Sequence, residues 1–359
     1  PMVQSKGINF NGQNIYIGID VHLKSWSVTI ITESNYKKTH SQKSSAKELF
    51  EHLKKHYPGG KYKAVYESGF SGYSTYYSLK EYGIDCIIIH AADAPTTQYE
   101  NVMKTDAIDS EKLAKSLKSG ILKGIYIREK ESLDDRNLIR LRKTLQRQLA
   151  GYKSRVKHLL YNNGVEYPAC FDKPSLHWSK RFTLWLRNDV TLLSSTRYSL
   201  DLLLDQVTLF RKNLLKANRM VRELASRPKY AERYENLISI PGVGTVTAMS
   251  LLTEVDDINR FQNQREFASF LGLIPSCHSS GETICNMEKT FRGNKQLGPL
   301  IIESAWVAIR YDKALAIAYS EYCRQMKGQE AIIRIARKLS NRILSVLKSG
   351  KKYQYDRCR

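Results

Sequence analysis

Between Asn14 and Asp20, Ile15, Ile17 and Ile19 alternate with Tyr16, Gly18 and Asp20. A sustained period of two is a strand with one buried face, and such a strand obliges the chain to build a sheet around it. Trp26, Val28 and Ile30 resume the alternation after the polar stretch His22 to Ser25, which predicts a hairpin. Ser45 to His56 then reads as a helix and Lys63 to Tyr66 as a short strand ending in Glu67. Ser71 to Tyr82 reads as a second helix, Cys86 to Ile89 as a strand, and the helix that follows Pro95 includes Lys104 to Ser119. The expected order, β-β-β-α-β-α-β-α, is mixed rather than regularly alternating. The first segment is therefore expected to be an α/β domain on a mixed sheet.

Four carboxylates occupy pointed positions in that scheme. Asp20 ends the first strand and Glu67 ends a later one, while Asp106 and Asp109 lie three apart and share a helix face. Strand ends converge at one edge of a sheet, and a helix laid across that edge brings its acidic face to them. Grouped carboxylates repel unless a hard divalent cation neutralises them, which favours Mg²⁺ or Mn²⁺. Two such ions about 4 Å apart can activate an attacking oxygen and stabilise a leaving one in phosphoryl transfer. Taken singly, each acid has an ordinary reading: a strand-end Asp is a turn residue, and Asp106 is a helix cap. As a set they point to metal.

Charge narrows the partner. The 359 residues carry 57 Lys and Arg against 35 Asp and Glu, a net of +22, with 42% apolar residues. At about 150 residues per domain, that length predicts two or three domains, and the composition excludes a largely disordered chain. No apolar run approaches the roughly 20 residues that span a bilayer. Residues 1–16 lack a basic segment followed by an apolar one, and the six cysteines form no Cys-x-x-Cys pair. A cytoplasmic protein with a polyanionic partner, nucleic acid before membrane, is the expectation.

The excess is concentrated. Residues 129–234 hold 22 basic and 11 acidic side chains, half of the whole net charge. No acid occurs from Arg136 to Val165, a run that includes Arg140, Lys143 and Arg147. The same stretch carries a coiled-coil-like stripe: Leu138, Leu141, Leu145, Leu149, Tyr152, Val156 and Leu159. Leu203, Gln206, Phe210, Leu214, Ala217, Val221 and Leu224 repeat its spacing. Two helices with matching stripes pair within one chain or between chains. The basic face is either simply solvated or a phosphate contact. Between them, 167–188 is an aromatic-rich turn or insertion, suited to a local core or to base stacking.

Three segments result: 1–128, the mixed-sheet domain; 129–234, a basic helical connector; and 235–359, a mainly helical domain. In the last, Pro241-Gly242-Val243-Gly244 precedes a helix over Thr245 to Glu254. A Pro-Gly-x-Gly turn into a helix, with Gly242 and Gly244, is a helix-hairpin-helix-like element whose free N–H groups suit phosphate oxygens. An ordinary helical corner has the same pattern. Downstream, Gly272-Leu273-Ile274-Pro275 leads to Ser279-Ser280-Gly281, then Arg292-Gly293-Asn294 and Lys295. Serine is a weak nucleophile unless a base or metal activates it, and Ser-Ser-Gly by itself is an unremarkable turn. Cys277, His278 and Cys285 give only three potential metal ligands without zinc spacing.

Ile17-Gly18-Ile19-Asp20-Val21-His22, Tyr66-Glu67-Ser68-Gly69 and Lys104-Thr105-Asp106-Ala107-Ile108-Asp109 closely resemble the three blocks of the DEDD insertion-sequence transposases. The Gly-Leu-x-Pro, Ser-Gly and Arg-Gly-Asn blocks resemble that family's second region, and Ile332 to Leu347 its closing basic helix. The resemblance implies a RuvC-like, ribonuclease-H-fold first domain with Asp20, Glu67, Asp106 and Asp109 as ligands of Mg²⁺ or Mn²⁺. It implies Ser280 as a nucleophile that joins covalently to DNA, the acids and the serine being brought to one phosphodiester by domain docking. Target and donor DNA, a guide RNA pairing with both, and a homodimer or homotetramer are the implied partners. Where the family has a Leu-Arg-Arg run after Gly-Asn, this chain has Lys295-Gln296-Leu297, so Arg292 and Lys295 stand in as local phosphate contacts. A RuvC-like endonuclease using water, and a non-catalytic nucleic-acid scaffold, are the competing readings.

Overall fold

The computed structural model describes residues 10–95, 105–280, 283–289 and 293–355; over 275–280 and 283–289 it describes the backbone alone. The chain divides into two compact units, Pro1–Ile127 and Arg128–Arg359. Among the described residues, no helix is long and apolar enough to cross a membrane.

The first unit is built on five strands: β1 (Asn14–Val21), β2 (Ser25–Thr32), β3 (Lys37–Lys43), β4 (Lys61–Glu67) and β5 (Asp85–Ile89). Their order is β3-β2-β1-β4-β5. The β1–β2 and β2–β3 pairs are antiparallel, the β1–β4 and β4–β5 pairs parallel. This is the mixed sheet of a RuvC-like, ribonuclease-H-type fold, and the sequence expectation of an α/β domain holds. Ile15, Ile17, Ile19, Val28 and Ile30 are fully buried, as the alternation requires. Helix α1 (Ala46–His56) starts at an Ser45 cap and buries Leu49 and Leu53, and α2 (Ser74–Glu81) buries Leu79.

Helix α3 (Asp106–Lys118) crosses β1 and β2, and its position depends on small residues. A Cβ on Gly18 would stand 2.0 Å from the Ser110 carbonyl oxygen and 2.5 Å from the Ala114 nitrogen. Only glycine in β1 lets the helix backbone come so close. Beneath it, the Ser110 hydroxyl hydrogen-bonds that of Thr29 at 2.8 Å, which satisfies both buried groups.

Among the described residues, the second unit is helical apart from one hairpin and the connecting turns. Helices α4 (Lys130–Asn162) and α6 (Ser194–Ala225) pack along each other, with α5 (Lys180–Asn188) between them in sequence. Tyr152 stacks on Phe210, and farther along Arg142 Nε donates to Asn218 Oδ1 at 2.9 Å, so the pair is antiparallel. The expected stripe shifts along α4. Ile139 and Leu160 are buried in place of a Leu138/Leu159 seam, and Leu141 is 53% exposed. A helix of 3.6 residues per turn drifts off a 3.5-residue seam, and α4 changes partners along its length. Ile139 joins the core of the C-terminal helices, whereas Leu149, Val156 and Leu160 join a separate core with Phe171, Phe182 and Leu186. The 167–188 aromatics fill that second core: Tyr167, Phe171, Phe182 and Trp185 meet ring to ring.

The remaining helices are α7 (Ala231–Ile238), α8 (Thr245–Val255), α9 (Gln264–Phe270), α10 (Leu297–Tyr311), α11 (Lys313–Cys323) and α12 (Gly328–Ser349). Strands β6 (Pro275–Ser280) and β7 (Thr283–Lys289) form an antiparallel hairpin between α9 and α10.

Candidate active site

In the first unit, β1 delivers Asp20 and β4 delivers Glu67 at their C-terminal ends. The parallel β1–β4 pairing, with Ile19 opposite Tyr66, puts both ends at the same sheet edge. Thr105 caps α3 by accepting from the Ile108 N–H, which fixes Asp106 and Asp109 in the first turn. Negative groups are favoured there by the helix dipole. The close approach at Gly18 then sets this turn beside Asp20.

The four acids gather in two pairs, each around a cation-capable side chain. His22 Nε2 lies 3.1 Å from Asp20 Oδ2 and 3.4 Å from Asp106 Oδ2. Lys112 Nζ lies 3.1 Å from Asp109 Oδ1 and 3.9 Å from Glu67 Oε1. Burial pushes the Asp20 carboxyl above its ordinary value; His22 pulls it back, and Asp106 and Asp109 push it up again. Burial, reinforced by the like charges of Asp106 and Asp109, therefore disfavours ionisation of Asp20.

These residues fit a divalent cation. Donor atoms of Asp20, His22 and Asp106 lie within 4.8 Å of one another, and the carboxylates offer the hard oxygens that Mg²⁺ and Mn²⁺ take. Lys112 and His22 meet the acids in the structure where a metal would otherwise meet them. Neither role was read from the sequence. His22 stood there as a polar residue after the strand and the last residue of the first block, with no role attached, and Lys112 shows only the i,i+3 spacing from Asp109.

In the second unit, Ser279 and Ser280 close strand β6, opposite Ile284 and Thr283. Ser279 and Ser280 are thus paired strand residues where a turn was expected; Gly281, Arg292 and the serine side chains lie outside the described residues. The base of the hairpin is clamped. A Cβ on Gly293 would stand 2.3 Å from the Gly272 Cα, and the Asn294 N–H donates to the Phe270 carbonyl at 2.7 Å. The Gly-Leu-x-Pro and Arg-Gly-Asn blocks are therefore the two feet of one hairpin, in contact because both positions are glycine.

Asn294 also reaches Glu254, a residue the sequence reading passed over. Glu254 is 1% exposed on α8 and accepts from Arg140 Nε at 2.7 Å, Arg136 Nε at 3.0 Å and Asn294 Nδ2 at 3.1 Å. Burial pushes its carboxyl up, but the Arg140 hydrogen bond, the charges of Arg136 and Arg140, and Asn294 bring it below the usual range. The basic run that holds no acid in sequence thus acquires one in space. Lys143 donates to the Gln296 carbonyl at 3.4 Å, while Arg147 and Lys295 are exposed.

The two motif glycines differ. Gly242 has φ +84°, and a Cβ there would stand 2.1 Å from the Ser304 carbonyl oxygen on α10, so packing alone demands glycine. Gly244 is the extended cap of α8 with open space where a side chain would project.

Comparison with known proteins covers both units. A family model for DEDD transposases of the IS110 type matches residues 17–162, and one described as "Transposase IS116/IS110/IS902 family" matches 234–321. The transposase y4qE of Sinorhizobium fredii is 26% identical over 67% of this chain, and the match spans 57% of that relative. The transposase for insertion sequence element IS1533 of Leptospira borgpetersenii is 26% identical over 70% of this chain and 73% of its own length. The transposase for IS1111A of Coxiella burnetii is 38% identical over 25% of each chain. With both models matched in order, the acid block in the first and the serine block in the second, the chain belongs to the DEDD-type IS110 family of insertion-sequence transposases.

Proposed function

We propose that the protein is the transposase of an insertion sequence and that it cuts and rejoins DNA through a phosphoseryl link. The observation that carries this reading is the gathering of Asp20, Asp106 and His22 at one sheet edge, with Glu67 and Asp109 on Lys112 beside Asp20's strand. A matched serine block supplies the nucleophile. The Ser280 hydroxyl attacks a phosphodiester, its Oγ–P bond forms, its proton leaves, and the P–O bond to the departing strand breaks to free a hydroxyl. Energy kept in the new diester lets that hydroxyl or another attack in return, so strands reseal without ATP.

Asp20, Glu67, Asp106 and Asp109 hold the divalent cation. Bound there, Mg²⁺ or Mn²⁺ supplies positive charge to a scissile phosphate. Without it, His22 lies against Asp20 and Asp106, and Lys112 against Asp109 and Glu67, offsetting part of the acids' charge. Arg147, Lys295, Arg292 and the open Gly244 end of the turn contact phosphates, Gly242 being spent on the packing against α10; Arg136, Arg140 and Lys143 shape the face beside them. Guidance by an RNA that pairs with target and donor DNA, and work as a dimer or tetramer, complete the reading, since two duplexes must be cut and exchanged.

The test incubates protein, DNA, co-purified RNA and Mg²⁺ and measures a denaturation-resistant protein–DNA adduct. Ser280→Ala should abolish the adduct and Ser279→Ala should retain it. Cleavage without adduct would instead make water the nucleophile. Strand cleavage unchanged in both Asp20→Ala and Glu67→Ala would take the acids out of the chemistry, and DNA binding with no cleavage by the unsubstituted protein would leave a scaffold.

A further inference from the structure

Helix α12 carries two kinds of cation. Arg342 is paired with Asp312, and Lys348 donates to the Phe261 carbonyl at 2.8 Å, so both are used inside the fold. Arg334, Arg337 and Lys338 are exposed and have no ion pair among the described residues. With Asn341 they stand at i, i+3, i+4 and i+7, one face of the helix. The opposite face buries Ile332, Ile335, Leu339 and Ile343 in the core of the unit, which fixes the direction of the basic one.

That face lines a groove. Two cavities of about 640 and 420 Å³ share Arg337 and Asn341 and so adjoin. Leu273 and Ile274, the hairpin foot that runs directly into β6, form one side of the larger cavity, and Tyr322 at the end of α11 lines it too. Arg265, exposed on α9, lines the smaller one. Arg334 and Lys338 both lie over the Tyr322 ring, at 5.4 and 5.9 Å from its centroid. A ring orients a cation without neutralising it. These cations are therefore placed but keep their charge, unlike Arg136 and Arg140, which Glu254 neutralises. Glu330 is the acid on the lining, four residues before Arg334.

Four cations against one acid select a polyanion. From Arg334 to Asn341 the helix rises about 10 Å, the rise of about three phosphates along one strand of a duplex. A single small anion would leave most of that row unused, and a second copy of this chain would bring its own net charge of +22. Position then selects among polyanions. Ser280 is the sixth residue after Ile274 along the strand, hence within about 20 Å of the groove, and the phosphodiester assigned to Ser280 above is one of DNA.

We propose that the α12 groove holds the phosphate backbone of the DNA flanking the phosphodiester at Ser280, with Arg334, Arg337, Lys338 and Arg265 as its phosphate contacts. The proposal rests on the transposase reading argued above and adds a backbone track to it.

The experiment uses the full chain and dye-labelled duplexes of equal length, one DNA and one RNA, and reads affinity by anisotropy over a series of salt concentrations. The combined variant Arg334→Gln, Arg337→Gln and Lys338→Gln should lower the slope of log affinity against log salt on DNA by about 2 to 3, since each lost phosphate contact is worth about 0.9. Arg337→Gln alone should lower it by about 1. Combined Lys47→Gln, Lys54→Gln and Lys55→Gln, on the exposed side of α1, removes the same charge and should lower it by less than about 1. Melting temperatures of the variants confirm that each is folded, and light scattering reads their mass. DNA binding by the unsubstituted protein with a slope that neither α12 variant changes overturns the groove alone. A slope change confined to RNA gives the groove to RNA and overturns the DNA assignment. An unchanged slope with a fall in mass makes this face a contact between copies and overturns the proposal. Absence of any DNA binding by the unsubstituted protein overturns the transposase reading and the groove with it.

Discussion

The protein contains two places where acids and bases converge, and they are built on opposite principles. At the sheet edge, four carboxylates outnumber His22 and Lys112, their side chains run from about one-tenth exposed at Lys112 to two-thirds at Asp106, and burial and repulsion push Asp20 up. Around Glu254, one carboxylate meets two guanidinium groups and an amide in near-complete burial, and its carboxyl is held down. The first arrangement is under-compensated and therefore ready to take a cation. The second is saturated and therefore holds helices in place. The same residue types give a site in one case and a rivet in the other, and the balance of partners against burial decides which.

That contrast can be broken most forcefully at Glu254. Glu254→Ala leaves Arg136 and Arg140 facing a buried void, and urea unfolding should show a loss of about 4 kcal/mol. A loss under about 1 kcal/mol would mean that the cluster is a surface ornament after all. Next in size is Gly18→Ala. The new Cβ must push α3 off β1, at a cost of about 3 kcal/mol, and stabilisation of the protein by Mg²⁺ should disappear with it. Melting curves with and without Mg²⁺ measure both.

The pH response should then have opposite signs at the two clusters. Glu254 has a depressed carboxyl, so its contribution is present above the ordinary glutamate value and is lost as pH falls through the folded one. Asp20 has a raised carboxyl, so ionising it costs stability as pH rises from the ordinary aspartate value through the raised one. Asp20→Asn should therefore leave the metal-free protein unchanged or more stable by about 0.5 kcal/mol at neutral pH, while strand cleavage is lost. Glu254→Gln should flatten the acid limb of the stability profile. Stability–pH curves of the two variants with equal slopes would erase the distinction. The smallest effect concerns binding: Arg147→Ala should reduce the slope of log affinity against log salt by about 1, whereas Arg136→Ala should change stability more than slope.

Much of the first unit was legible. The period-two alternation around Ile17 placed β1 and β2, and the strand-end positions of Asp20 and Glu67 foretold a shared edge because parallel neighbours end together. The polar third strand, Lys37–Lys43, has charged residues where alternation would need apolar ones, so only its place in the order was expected. The stripe of α4 was half legible. Heptad counting cannot show that one helix serves two cores, which is why Leu141 ended outside. Glu254 was invisible because it is the lone charge of its helix, more than a hundred residues from the arginines it binds.

The sequence by itself determined which residue types could do chemistry and roughly where they fall along the chain: four acids, a serine block, a basic helix, and glycines at fixed offsets. These are local properties, set by spacing and side-chain identity. Only the tertiary structure decided which charges are already spent. Lys112 stands between Glu67 and Asp109, Arg136 and Arg140 are turned onto Glu254, and Gly242 serves α10 rather than an open surface. Electrostatic and steric roles depend on distance in space and on burial, and both are fixed when segments far apart in sequence pack together.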